Sequence, residues 1–167
     1  MMNLLMAGCT GLPRGVHPVQ DFDVTRYQGK WYEIARLDHS FERGMDNVTA
    51  DYSLNDDGSI RVINQGFSAD KNRWKSVTGK AKFVGKASVG HLKVSFFGPF
   101  YGTYAVFGLD KGHYNYAFVA GPNHDYLWLL ARQPQVSPVV YERFLREARQ
   151  FGFDTNKLIK VQHTTDR

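Results

Sequence analysis

The sequence predicts an all-β protein with one C-terminal helix. About eight short runs alternate apolar and polar residues at near-even spacing, and turn residues separate them. One of the turns, residues 55–58 (NDDG), is a strong hairpin signal. After Pro134 the apolar period changes from that of a strand to that of a helix. These three observations favour either an antiparallel sandwich or an up-and-down barrel.

The strands are predicted from alternation and from the turns that bound them. Residues 30–37 (KWYEIARL) form the first strand, and residues 47–54 alternate most clearly, because their even-numbered side chains are all apolar or aromatic. The remaining predicted strands are residues 59–67, 74–83, 91–97, 101–109, 114–120 and 126–132.

The C-terminal helix is predicted by its capping residues and by its apolar stripe. Ser137 is a good N-cap, Pro138 a good first residue, and Gly152 suits the position after the last turn. A short strand over residues 158–161 is expected to follow. The helix places these apolar residues on one face: Val140, Phe144, Ala148 and Phe151.

Length and charge narrow the class of protein. The chain has 167 residues and is 43% hydrophobic, which is typical of one globular domain and excludes a disordered chain. The net charge of +5 is spread along the chain without a basic helix, so no nucleic-acid partner is predicted. No apolar run approaches the ~20 residues that span a bilayer as a helix.

The single cysteine, Cys9, lies near the N-terminus after Leu-Met-Ala-Gly. This run resembles the end of a bacterial lipoprotein signal peptide, whose cysteine is lipidated after cleavage. The resemblance implies three segments: a residual signal-peptide end (1–8), a lipidated tether (9–23) and one domain (24–167). Thr10, which is not an aspartate, implies the outer membrane.

Several ordered blocks resemble the lipocalins. Residues 29–33 (GKWYE) look like the first motif of that family, residues 115–117 take the place of the second without its usual Asp, and Arg132 takes the place of the third. Four longer stretches are similar to bacterial lipocalins in particular: residues 31–37, 41–44, 95–102 and 121–130.

That resemblance implies an all-β fold, an eight-stranded antiparallel up-and-down β-barrel with one C-terminal α-helix packed on the outside. It also implies a lipid-anchored protein of the bacterial outer membrane that faces the periplasm and binds lysophospholipids or fatty acids for membrane maintenance. Gly29, Trp31 and Arg132 would be structural, with Trp31 at the closed end and Arg132 stacked on its indole.

The apolar faces of the predicted strands supply the expected ligand cavity. These candidates are Tyr52, Val77, Ala81, Phe83, Leu92, Val94, Phe96, Ala105, Phe107 and Tyr116. In residues 101–109 either face is plausible, and the face with Ala105 and Phe107 is taken. Four residues are expected at the mouth, where a head group would lie: Arg36, His39, Phe41 and Arg43.

The sequence carries none of the common catalytic motifs, no spaced metal-binding pair and no cofactor signature. A barrel-based isomerase or hydrolase would need a polar cluster inside the barrel, and the strand alternation shows none. A tetrapyrrole or siderophore carrier would need an inward histidine or internal basic residues, which the histidine positions do not favour. Aromatic residues in the loops, such as Phe97 and Phe100, make a homodimer a further expectation.

Overall fold

The computed structural model describes residues 11–164. Two α-helices and a 3-10 turn accompany nine strands: α1 (Val24–Tyr27), α2 (Pro138–Gln150) and the turn Thr155–Lys157. The strands are β1 (Gly29–Leu37), β2 (Met45–Leu54), β3 (Ile60–Ser68), β4 (Arg73–Phe83), β5 (His91–Phe97), β6 (Phe100–Leu109), β7 (Tyr116–Ala120), β8 (Leu127–Ala131) and β9 (Leu158–Lys160).

Strands β1 to β8 form a closed barrel. Each strand from β2 to β8 pairs antiparallel with the next, β8 pairs with β1, and β1 pairs with β2 to close the sheet. Closure leaves no full-length edge strand, and eight strands enclose a space just wide enough for side chains or one small ligand. The predicted up-and-down barrel is therefore confirmed.

Two seams of the barrel depart from simple pairing. Strand β9 pairs with Ala35–Leu37 of β1, the C-terminal part of that strand, whereas the first four residues of β1 pair with β2. Between β4 and β5, the register over the described residues covers only Lys80–Phe83 against Leu92–Ser95. Residues 73–79 of β4 therefore have no partner on β5, which ends two residues beyond Ser95.

Alternation along the strands divides the apolar side chains into an inner and an outer cluster. The inner cluster fills the barrel and includes Trp31, Tyr52, Leu92 and Val119. The outer cluster lies between the barrel wall and α2, whose Phe144 and Ala148 are fully buried.

The ends of α2 agree with the prediction. The Ser137 side chain accepts a hydrogen bond from the Val140 N–H, and Pro138 begins the helix. Gly152 follows the C-cap with φ of +91°, a left-handed conformation that glycine adopts without strain.

The segment before α1 was expected to be a tether outside the domain, and over residues 11–23 this is wrong. Val16 and Phe22 are buried, and the Val19 N–H donates to the carbonyl of Val106 on β6. Thr103, also on β6, donates its hydroxyl to the carbonyl of Gly11. The segment thus runs along the outside of the barrel. Its apolar residues are too sparse to show a strand period, which is why the sequence reads as a linker.

Within residues 11–164, neither helix is long and apolar enough to cross a membrane.

Candidate ligand-binding barrel

One end of the barrel is closed by Trp31 and the residues around it. The Trp31 side chain is fully buried, and its Nε1–H donates to the carbonyl of Tyr27 in α1 at 2.8 Å. Arg132 places its guanidinium 3.8 Å from the centre of the indole ring, as the resemblance implied. The same guanidinium donates to the carbonyls of Arg26 and Lys30, so it ties α1 and β1 to β8.

Three tyrosines join their hydroxyl groups inside the barrel. The Tyr104 hydroxyl lies 2.6 Å from that of Tyr27 and 2.8 Å from that of Tyr52. Burial raises the pKa of all three phenols, so they stay protonated. The three groups satisfy one another in the interior and form a neutral polar point in an otherwise apolar floor.

Most of the predicted cavity residues face the interior. They belong to the inner cluster or pack against it: Tyr52, Ala81, Phe83, Leu92, Val94 and Phe96. Val77 lies on the same face of β4 as Ala81 but nearer the open end, where it is 37% exposed. The inner wall is therefore closely packed at the floor and only partly covered near the mouth.

Three predicted cavity residues lie on the outer face, so their placement in the cavity is wrong. Phe107 and Tyr116 pack in the outer cluster, and the Tyr116 hydroxyl accepts a hydrogen bond from Arg143 of α2. Ala105 lies between Tyr104 and Val106, which both face inward, so its own side chain points outward. Both faces of β6 are apolar because α2 and the N-terminal segment cover the outside, and alternation could not distinguish them.

Gly79 does not leave free space in the wall. A Cβ atom at this position would lie 2.6 Å from the ring of Phe96, which covers the glycine from β5. The glycine allows that aromatic side chain to lie flat against β4.

A β-bulge in β1 turns two charged residues into the barrel. The register shifts between Glu33 and Ala35, while Ile34, Ala35 and Leu37 all pack in the outer cluster. Glu33 and Arg36 therefore both face inward, where regular alternation would have placed them on opposite faces. The expectation that the interior holds no polar cluster is wrong for this reason.

Arg36 is the centre of this internal cluster. It is 1% exposed, and its Nη1 lies 3.2 Å from a carboxylate oxygen of Glu33. Its Nη2 donates to the carbonyl of Glu42 at 2.7 Å, and the guanidinium also reaches Asp38 and the carbonyl of Met45. Arg36 was expected to face a head group at the mouth, but its donors are instead used to hold loop 38–44 against β1.

The two carboxyl groups of the cluster differ in charge. Burial and the nearby carboxylate of Glu42 raise the pKa of Glu33 well above its usual range, against the attraction of Arg36. Burial also acts on Glu42, but its neighbours His39, Glu33 and Arg36 together lower the pKa of that carboxyl. Glu33 is thus the proton-bearing member of the pair, and Glu42 is the anion.

His39 covers the cluster from the loop. Its side chain is 9% exposed and contacts the rings of Phe41, Tyr126 and Trp128. The Nε2 atom lies 3.3 Å from a Glu42 oxygen, but neither ring nitrogen has a hydrogen-bond partner among the described residues. Its position is therefore defined by the aromatic contacts and by its close approach to the Glu42 carboxylate.

The other two predicted mouth residues do lie at the rim. Phe41 is exposed, and Arg43 is an exposed cation that pairs with Asp38 at 3.2 Å. Among residues 11–164 no group of histidine, cysteine and acidic side chains has the geometry of a metal site. Cys9, the predicted lipidation residue, lies outside the described residues.

A family model described as a lipocalin-like domain matches residues 22–163. The outer membrane lipoprotein Blc of Vibrio cholerae is 54% identical over 97% of this chain and 95% of its own length. The Escherichia coli K12 protein of the same name is 53% identical over 90% of this chain and 84% of its own. The chain belongs to the lipocalin family. Its resemblance to bacterial lipocalins is therefore confirmed.

A solved lipocalin-fold structure shows the same architecture at lower identity. Insecticyanin from the tobacco hornworm Manduca sexta superposes with a TM-score of 0.75 and 21% identity, over 93% of this lipocalin and 88% of the insect chain. At that identity the likeness concerns the fold alone.

Sequence reasoning missed two parts of this lipocalin's interior. The short helix α1 brings Tyr27 beneath the barrel, and its signal is Asp23, whose carboxylate caps the helix by accepting from the Thr25 N–H. The bulge in β1 left only a weak signal, the adjacent apolar pair Ile34 and Ala35.

Proposed function

We propose that this lipocalin binds and carries single-chain lipids, lysophospholipids or fatty acids, in its barrel. The observation that carries the proposal is the inner wall near the mouth. On β4 and β5, Val77, Val94 and Phe96 face inward and stay partly exposed, whereas Ala81 and Leu92 on the same strands are buried. Apolar surface inside an open barrel suits an acyl chain, and each buried methylene contributes about 0.8 kcal/mol.

The polar groups inside the barrel set limits on how a ligand could lie. The tyrosine hydroxyls at the floor and the Glu33–Arg36–Glu42 cluster below loop 38–44 are occupied by protein partners. An acyl tail would therefore run along the β4–β5 wall. The head group would stay at the rim near exposed cations such as Arg43.

The proposed location is the bacterial outer membrane, with the domain facing the periplasm. Two relatives that cover most of this chain carry the name outer membrane lipoprotein. Cys9 is the proposed attachment point, and the proposed role is storage or transport of lipids for membrane maintenance. A diacylglyceryl group with an amide-linked chain would anchor the protein firmly.

The internal cluster favours a second candidate, a barrel-based isomerase or hydrolase. Glu33 and Glu42 are a protonated and an ionised carboxyl group held close together, and such pairs serve acid–base chemistry. Against this candidate, Arg36 uses both carboxyl residues to fix a loop, and His39 closes the cluster from the open end. The relatives are named as lipoproteins and lipocalins, which is consistent with a binding protein.

The test is native mass spectrometry of the purified chain, followed by lipid extraction and rebinding. We expect one lysophospholipid or fatty acid per barrel that rebinds after removal and is recovered with unchanged mass. A chemically converted lipid would favour the enzyme. A barrel that does not bind added single-chain lipids would contradict the proposed carrier function.

A matched pair of variants assigns the binding to the barrel. Val94→Trp places a large ring on the inner wall and should weaken lipid binding by about tenfold or more, because it fills the volume that a tail would use. Val84→Trp changes an exposed residue outside the barrel and should leave binding unchanged.

A further inference from the structure

Large aromatic residues are exposed at two neighbouring turns of the open end. Phe97 and Phe100 flank the β5–β6 turn and are 64% and 77% exposed. Trp74 lies near the start of β4, beside the adjoining β3–β4 turn, and is also exposed. Both turns lie beyond Lys80 and Ser95, the last β4–β5 pair on this side. Exposed aromatic side chains grouped in this way mark an interaction surface.

Basic residues accompany these aromatics. Lys71, Arg73 and Lys75 lie within five residues, and Asp70 is the one acidic residue among positions 67–75. None of the three cations forms an ion pair with a carboxylate of residues 11–164. The pKa of Lys75 is lowered, first by a side-chain hydrogen bond with Lys71 and then by the positive charge of Lys71 and, to a smaller extent, of Arg73.

We propose that this surface docks on an anionic phospholipid bilayer. We call it the rim patch, and its residues are Lys71, Arg73, Trp74, Lys75, Phe97 and Phe100. Aromatic rings favour the boundary between lipid head groups and acyl chains, and unpaired lysine and arginine residues attract anionic head groups. A protein partner would need the same apolar area but would not require an excess of one charge.

The N-terminal segment supports this orientation. Gly11 contacts Thr103, three residues from Phe100 at the rim end of β6. Cys9 precedes Gly11 by two residues in the sequence. An anchor attached to this cysteine would join the described chain at Gly11, in the open-end half of the barrel, and would favour an orientation with the rim patch toward the membrane.

Docking goes beyond the proposed binding of a lipid inside the barrel, and the two are separable. A bilayer would contact the rim patch, whereas a single-chain lipid would contact the inner wall near Val94. Together they would let a lipid pass between bilayer and barrel without crossing water.

The test uses the full chain carrying Cys9→Ser, which cannot be lipidated. Binding to vesicles with about 30% phosphatidylglycerol in phosphatidylcholine is measured by co-sedimentation. Phe97→Ser with Phe100→Ser should lower the partition coefficient by about tenfold or more. Lys71→Glu with Arg73→Glu should also lower the partition coefficient. The difference between the parent and this variant should decrease as salt is added, because salt screens the attraction between the parent and the anionic vesicle.

Matched controls change an exposed apolar pair and an exposed cationic pair at the other end of the molecule. Val84→Ser with Val139→Ser removes two exposed apolar residues, and Lys86→Glu with Lys111→Glu reverses two exposed charges. Both controls should bind vesicles like the parent. Equal vesicle binding by the rim and control variants would overturn the proposal. So would a parent whose vesicle binding does not increase with the phosphatidylglycerol content.

Two further readouts separate this proposal from its alternatives. A fluorescent fatty acid should bind equally to the parent and the rim variants. Equal binding would show that each variant is folded and that its barrel still binds lipid, independently of the result with vesicles. If the rim variants instead change the mass of the protein in solution, the rim patch joins two copies of the chain and the docking proposal fails.

Discussion

Glu33 is a buried carboxyl group on the wall of a barrel whose interior is largely apolar. A bulge at Ile34 is the reason it shares its face with Arg36, and that neighbour gives it a charged partner at 3.2 Å. Desolvation nevertheless dominates its titration and raises its pKa well above the usual range. The pH dependence of stability should therefore carry a contribution from this one residue.

We predict that Glu33→Gln changes the pH dependence of unfolding. From the ordinary value of 4.5 upward, the unfolded chain releases the Glu33 proton while the folded chain keeps it. The folded state of the parent then loses stability by about 1.4 kcal/mol per pH unit until the raised pKa is passed. Glu33→Gln cannot titrate, so its stability relative to the parent should rise with pH over that window.

Urea denaturation of both proteins between about pH 5 and pH 7 measures this difference. Glu142→Gln, which changes an exposed carboxyl on α2, is the matched control and should run parallel to the parent. Parallel curves for Glu33→Gln would show that Glu33 is ionised in the folded protein and would contradict the prediction.

The sequence predicts some residues of the site well and others poorly, for a physical reason. Trp31 and Arg132 are identified by a motif, and their stacking depends on neighbouring strand ends that the fold brings together. Arg36 reads as a mouth cation because charged side chains usually face solvent. Its burial depends on a bulge that brings no glycine or proline signal to the sequence.

At the scale of elements, α2 is held to the barrel by a narrow apolar stripe. Phe144 is fully buried, and its ring lies 5.2 Å from that of Phe118 on β7. We predict that Phe144→Ala lowers the free energy of unfolding by about 3–5 kcal/mol, because it removes a large ring and leaves a cavity between α2 and the barrel. Chemical denaturation measures the loss.

Val139→Ala on the exposed side of α2 is the control and should stay within about 0.5 kcal/mol of the parent. A small loss for Phe144→Ala would mean that α2 contributes little to the stability of the barrel.

Strands and helix differ in how far their sequences determine them. The helix caps at Ser137 and Gly152 act within a few residues, and both were predicted in place. Strand positions were predicted within two residues, but the inner face of β6 was not. Phe107 packs in the outer cluster with residues of α2. Its local sequence is the same as that of an apolar residue that faces a ligand, so the two cases cannot be distinguished from the strand alone.

For the whole molecule, closure is the property that the strand pattern alone left open. A sandwich and a barrel have the same alternating strands, and they differ in whether the first strand meets both the second and the eighth. That pairing joins residues about a hundred positions apart, so it came from the family resemblance and is confirmed by the structure.

A ligand inside a closed barrel should stabilise the whole fold. We predict that a single-chain lipid raises the free energy of unfolding by about 2.7 kcal/mol at a concentration a hundred times its dissociation constant. At the same lipid concentration the gain should fall to about half or less in Val94→Trp, and it should persist in Val84→Trp. Thermal denaturation with increasing lysophospholipid or fatty acid measures it. A midpoint that does not change with lipid would mean that the folded chain binds the lipid no better than the unfolded chain, which would contradict the prediction.

The short register between β4 and β5 leaves part of the wall near the mouth without pairing between these two strands. Four residue pairs join them, while residues 73–79 of β4 pair with β3 alone. Movement of the β3–β4 turn away from β5 would therefore break no β4–β5 pair. A branched or unsaturated tail would then cost little more to admit than a straight one, and tolerance of tail shape would come from the wall.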